Sequence, residues 1–196
     1  NGFDPVDLLR RIDRLTCDED LWVVAGVGNS QTWAARHLTF SHPTRRLLAS
    51  GAQGSMGYDL PSAIGAAFQQ QDSTILCVTS DQSLQANLHE LSTLVRYNLP
   101  VKILLLDNRP IGDLEADTST NAASTPTLEE LNFQELAGAY GVPWYELSTS
   151  DEDLDGTLRR ALSEKGPGLF YVRIDTGCSP TPQVARDEAL EVMWMR

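Results

Sequence analysis

Two patterns alternate along the chain. Short apolar runs at 21–28 (LWVVAGVG), 73–80 (STILCVTS), 101–107 (VKILLLD) and 168–175 (GLFYVRID) each close on glycine or on a polar turn. Runs of that length without polar alternation predict strands covered on both faces. RRLLAS at 45–50 and WYEL at 144–147 predict two shorter strands. Between the runs, apolar residues return every three or four positions, the spacing of a helix face.

The helices are bounded by recognisable caps. Asp4 and Pro5 supply a cap and an N1 proline for a first helix with Val6, Leu8, Leu9, Ile12 and Leu15 on one face. Ser30 is placed to cap a second, through Gln31, Trp33, Ala34 and Ala35, and the small-residue stretch 51–67 (GAQGSMGYDLPSAIGAA) runs into a third. A helix over 83–97 carries Leu84, Leu88, Leu91, Leu94 and Val95 until Asn98-Leu99-Pro100 stops it. Asn132 caps a helix that ends at Gly141, and 151–164 forms the last, with an acidic first turn. The alternation predicts one α/β domain over 1–196: a doubly wound, mainly parallel sheet with helices on both faces.

Two segments fit neither pattern. Residues 112–127 are polar and aperiodic and read as a long loop, of the kind that serves as a lid or a partner contact. The tail, 180–196, holds an amphipathic segment with Leu190, Val192, Met193 and Trp194; it would cover the site rim, meet a partner, or dock on its own domain.

Charge and composition narrow the function. Fifteen basic and 27 acidic residues leave a net charge of -12, which argues against binding nucleic acid or an anionic membrane surface. No apolar run approaches the roughly 18 residues that span a bilayer, and no basic-then-apolar leader is seen. Three widely spaced cysteines, Cys17, Cys77 and Cys178, fit a reducing compartment, so a cytoplasmic location is expected. The three histidines form no cluster.

The chemistry concentrates at 80–108. The order strand, polar turn, helix, strand, polar turn makes a βαβ unit whose turns share one edge of a parallel sheet, where ligands collect. Asp81 and Asn108 are therefore expected to converge. A carboxylate and an amide oxygen beside a helix N-terminus suit a hard cation carrying a phosphate, which predicts a Mg²⁺–diphosphate site. The glycines of 51–57 would let backbone approach a ligand closely.

Taken together, Ser80-Asp81-Gln82 with Asp107-Asn108, VGNSQTWAARH upstream and GAQGSMGYDLPSAIGAA between them resemble an ordered series of motifs. They are similar to the diphosphate-binding (PP) domain of thiamine-diphosphate enzymes, in particular the C-terminal domain of acetohydroxyacid synthases and 2-oxoacid decarboxylases. The resemblance implies that Asp81, the side chain of Asn108 and the carbonyl of Pro110 ligate Mg²⁺. It implies that backbone N–H groups of Gln82 and Ser83 hold the diphosphate, with Gly28, Asn29, Ser30 and Gly112 assisting. Met56 would be the apolar wedge that bends the cofactor, and the Gly54 carbonyl would receive its exocyclic amine.

The series departs from the family in places. Ser80 and Gln82 replace the glycines of a Gly-Asp-Gly signature, Ser30 replaces a histidine, and Asp113 stands where an apolar residue is usual near the reaction centre. If Asp113 lines the cavity, a strongly anionic acceptor is disfavoured. The activating glutamate belongs, in this family, to a separate pyrimidine-binding (Pyr) domain. The expectation is thus the PP subunit of a split decarboxylase or carboligase, a lyase or transferase acting on a 2-oxoacid. A Pyr-domain subunit would complete it as a hetero-oligomer, a dimer of heterodimers. The alternatives are a fragment of a full-length synthase-like enzyme and a non-catalytic scaffold without cofactor.

Overall fold

The computed structural model describes residues 2–175 apart from 42, 52, 71 and 108–130, together with Cys178. Among these residues, six strands, β1 (Leu21–Ala25), β2 (Arg46–Ala49), β3 (Thr74–Ser80), β4 (Val101–Asp107), β5 (Trp144–Leu147) and β6 (Gly168–Arg173), form one sheet in the order β2-β1-β3-β4-β6-β5. Every neighbouring pair is parallel. The expected doubly wound sheet is present, and its winding reverses between β1 and β3.

Among the described residues, seven α-helices cover the two faces: α1 (Pro5–Leu15), α2 (Asn29–His37), α3 (Asp59–Gln69), α4 (Asp81–Ala86), α5 (Leu91–Arg96), α6 (Phe133–Tyr140) and α7 (Leu154–Ser163). β4 is buried throughout, and its side chains alternate between the two layers. Leu104 and Leu106 join Leu8, Ile12, Trp33 and Leu158 beneath α1, α2 and α7. Val101, Ile103 and Leu105 join Leu60, Leu84, Leu94 and Phe133 beneath α3 to α6.

The caps follow the sequence in most places. Asp4 accepts from the Val6 N–H at 2.9 Å, Asn132 from the Glu135 N–H at 3.2 Å, and α6 closes on Gly141 at φ 76°. α7 is shorter than expected because Asp153, accepting from the Gly156 N–H at 3.1 Å, is its cap. Ser30 is not a cap. α2 starts two residues earlier with Gly28 in the cap position, and the Ser30 hydroxyl donates back to the Gly26 carbonyl at 2.9 Å.

The single helix expected over 83–97 is broken. It divides into α4, a 3₁₀ turn at Leu88–Glu90, and α5, with Asn87 at φ -134° and ψ 35° between them. Periodicity continued across the break because the 3₁₀ turn keeps the chain winding, but Val95, expected on the covered face, is 37% exposed. Asn87 turns its amide to the Gly57 carbonyl instead, at 2.7 Å. The long loop 112–127 and the tail 180–196 lie outside the described residues.

Candidate cofactor cleft

The site forms where β1 and β3 leave the sheet at the switch point, the position at which open α/β sheets bind ligands. Strand pairing is prolonged by the Gly26 N–H, which donates to the Val78 carbonyl at 2.8 Å. Gly26 has no room for a side chain, since a Cβ there would sit 2.4 Å from Asp59 Oδ2. Beyond it the chain turns at Gly28, whose φ of 102° L side chains rarely adopt and whose surroundings hold no atom within 4 Å of an added Cβ. The result is bare backbone facing open space at the start of α2.

The second wall is the loop preceding α3. Gly54 takes φ 61° and lies against Val27, an added Cβ falling 3.6 Å from its Cγ1. Met56 stands 58% exposed between Gly54 and Gly57, a large apolar side chain with little cover. The third wall is the exit of β3. Ser80 Oγ caps α4 by accepting the Ser83 N–H at 3.3 Å, which leaves Asp81 and Gln82 in the first turn. Asp81 is half-buried and Gln82 exposed.

These walls enclose a cleft of about 400 Å³. Val27, Gly28, Asn29, Ser30, Met56, Ser80, Asp81 and Gln82 line it, with Trp33, Leu106 and Ile174 deeper in. Asp81 is the sole charged residue among these described lining residues. Of the residues singled out from sequence, Gly54 stands behind Val27 rather than on the lining, and Ser83 is buried behind the third wall. Asn108, Pro110, Gly112 and Asp113 lie outside the described residues. β4 does end on this edge, with Leu106 paired to Ser80 and buried Asp107 accepting from the Tyr171 hydroxyl at 2.6 Å.

Behind the cleft are residues that sequence reasoning missed. Asp59, fully buried at the start of α3, accepts from the Ser83 hydroxyl at 3.0 Å. The signal was an acidic residue inside an otherwise small and apolar stretch, YDLPSAIGAA. Cys77 lies in the same layer; burial first, and the charge of Asp59 second, hold its thiol far above the usual range, so it is no nucleophile.

The description "Thiamine pyrophosphate enzyme, C-terminal TPP binding domain" matches residues 26–172, three quarters of the chain. The chain belongs to this thiamine pyrophosphate enzyme family. Among curated relatives, the large subunit of acetolactate synthase isozyme 1 from Escherichia coli (strain K12) is 33% identical over 85% of this chain and 30% of its own length. The mitochondrial catalytic subunit of acetolactate synthase from Saccharomyces cerevisiae (strain ATCC 204508 / S288c) is 33% identical over 95% of this chain and 28% of its own. The chain thus spans about a third of the length of the relatives it matches. An X-ray structure described as a thiamin diphosphate-dependent enzyme from Mycobacterium smegmatis superposes with a TM-score of 0.72 at 21% identity, covering 89% of this chain and 32% of that one.

The cleft fits the family's cofactor in its donor set. A diphosphate carries several negative charges, and among the described lining residues the one charged side chain is the carboxylate of Asp81. A carboxylate beside the place of a phosphate suits a hard divalent cation, for which oxygen ligands are the usual donors.

Proposed function

We propose that this chain is the PP half of a thiamine-diphosphate-dependent enzyme of acetolactate synthase type, which decarboxylates a 2-oxoacid and releases an aldehyde or transfers the acyl carbanion to an acceptor. The observation that carries the reading is the cleft at the sheet's switch point, walled by Gly28 and Asn29, by Met56 and by Asp81, the one charged side chain among its described lining residues. Asp81 would hold Mg²⁺ together with Asn108 and the Pro110 carbonyl, and the metal would anchor the diphosphate. The backbone of Gly28, Asn29, Gln82 and Gly112 would line the phosphate end. Met56 would support the ring end, and the Gly54 carbonyl would meet the exocyclic amine. Bound there, thiamine diphosphate supplies the electron sink that 2-oxoacid decarboxylation requires.

What the protein's own residues contribute is orientation and a dry, shaped wall. The activating glutamate would come from a Pyr domain on a partner chain, in a hetero-oligomer built as a dimer of heterodimers. Because the curated relatives are about three times longer, the same contacts made within one longer polypeptide are the competing arrangement. Three free cysteines support a reducing, cytoplasmic setting. Among the described residues, no helix is long and apolar enough to cross a membrane.

A second reading, a scaffold that has lost the cofactor, is favoured by one contact. The Ser83 N–H that would serve the diphosphate already donates to Ser80 Oγ. Calorimetry with Mg²⁺ and thiamine diphosphate, on the chain mixed with a Pyr-domain partner, separates the two. Saturable, metal-dependent binding together with CO₂ release from a 2-oxoacid is expected; absence of binding in the mixture leaves the scaffold reading.

A further inference from the structure

Asp59 has no role in the function proposed above, yet its side chain meets the first and third walls of the cleft and reaches the second through Ser83. Its Oδ2 faces Gly26 at the exit of β1 so closely that glycine alone fits there. Its Oδ1 accepts the Leu60 N–H at 3.1 Å and the Ser83 hydroxyl at 3.0 Å. Ser83 must be the donor in that bond, so its lone pairs face outward, and Ser83 Oγ accepts the Gly57 N–H at 2.9 Å.

Asn87 completes the grip. Its Nδ2 donates to the Gly57 carbonyl at 2.7 Å, so both backbone polar groups of Gly57 are held by two side chains four positions apart. Gly57 is held with no slack: φ is +81°, and an added Cβ would lie 2.6 Å from Asn87 Nδ2 and 2.8 Å from Ala86 Cβ. Gly57 follows Met56 directly, while Ser83 and Asn87 follow Asp81 in and just after the same short helix.

We infer that Asp59 is a positioning residue: acting through Ser83, it locks the Met56 loop to the first turn of α4 and so fixes the separation between the ring end and the metal end of the cleft. The inference rests on the thiamine diphosphate reading. A ligand that engages both ends depends on that separation, whereas one that engages the metal end alone does not.

The test compares two probes, thiamine diphosphate and inorganic pyrophosphate, each with Mg²⁺, on the protein assembled with its Pyr domain. Asp59→Ala and Asn87→Ala should each weaken thiamine diphosphate about tenfold while leaving Mg²⁺-pyrophosphate within about twofold, and Asp59→Asn, which keeps an acceptor oxygen for Ser83, should restore wild-type affinity. Asn87→Ala removes an amide in a half-buried position and provides the comparison if Asp59→Ala fails to fold. A parallel loss for both probes, no loss for either, or an Asp59→Asn variant as weak as Asp59→Ala overturns the proposal. Hydrogen exchange without cofactor supplies an independent arm: the Gly57 amide should be protected in the wild type and exchange at least tenfold faster in Ser83→Ala. An unprotected Gly57 amide in the wild type sinks the clamp by itself. A protected amide in a protein that binds neither probe sinks the cofactor reading, and the positioning role with it.

Discussion

The two edges of the sheet treat buried charge in opposite ways. At the amino edge, Arg45 is 3% exposed and each of its nitrogens is engaged: Nη2 with Asp13 Oδ1 at 2.7 Å, Nε with the Thr39 carbonyl at 2.7 Å, and Nη1 with Thr16. Lys102 there donates to the carbonyls of Glu164 and Gly166 at 2.7 and 2.9 Å, tying β4 to the end of α7. At the carboxyl edge, Asp59 Oδ2 is buried without a hydrogen-bond partner, and Asp81 lines an open cleft. Where every charged donor is matched, the groups serve the fold. A carboxylate oxygen left unmatched, as at Asp59, marks the edge available to a ligand.

Arg45→Met offers the largest expected break in this contrast. Removing the guanidinium strands two carbonyls and takes the counter-charge from Asp13, which keeps only its bonds from Thr39, and this should lower unfolding free energy by about 3 kcal/mol in urea titrations. Thiamine diphosphate affinity should stay within about twofold, because no cleft residue touches Arg45. A collapse of affinity in protein that is still folded would show that the amino edge is not merely structural.

Asp81→Asn is the mirror experiment. Loss of a metal ligand should weaken Mg²⁺-dependent cofactor binding about a hundredfold, near 2.7 kcal/mol. Stability should change by less than about 1 kcal/mol, the scale of a first-turn carboxylate on a helix N-terminus. Met56→Ala should be smaller on both counts. With the side chain 58% exposed, its truncation removes little buried area, so stability should hold while cofactor affinity falls about tenfold in calorimetry.

The contrast also explains what could be read from the sequence. β4 was legible because a strand covered on both faces is apolar throughout, and α1 because Asp4, Pro5 and the spacing of Leu8, Leu9 and Ile12 are all local signals. The three walls of the cleft were legible from glycines and polar residues at strand ends. The break at Asn87 was not, since its cause is a hydrogen bond to Gly57, 30 positions away. Asp59 was missed for the same reason: the contacts that define it, to Ser83 and Gly26, come from other elements. Ser30 has the residue type of a cap, but α2 starts at Asn29 and places Ser30 inside the first turn, where its hydroxyl bonds back to the Gly26 carbonyl instead.

The smallest effect is a pair of alkaline limbs with opposite signs at the amino edge, both meeting at Glu164. Burial lowers the Lys102 ammonium from its ordinary 10.5, against the opposing charge of Glu164. Between the lowered value and 10.5 the unfolded chain holds a proton that the folded protein has released, so stability rises with pH through that window. Tyr145 does the reverse. Burial first, then its hydrogen bond to Glu164 and that residue's charge, push its hydroxyl from 10 to about 12. Above pH 10 the unfolded chain loses the phenolic proton while the folded protein keeps it, so stability falls between pH 10 and about 12. Because Tyr145 is only partly covered, the slope should be shallow. Urea midpoints of Tyr145→Phe should decline less than wild type across that interval, and those of Lys102→Met should lack the rise below it. If instead cofactor affinity, rather than stability, tracked either limb, the two edges would be coupled across the length of β4, and the division between a saturated edge and an open one would fail.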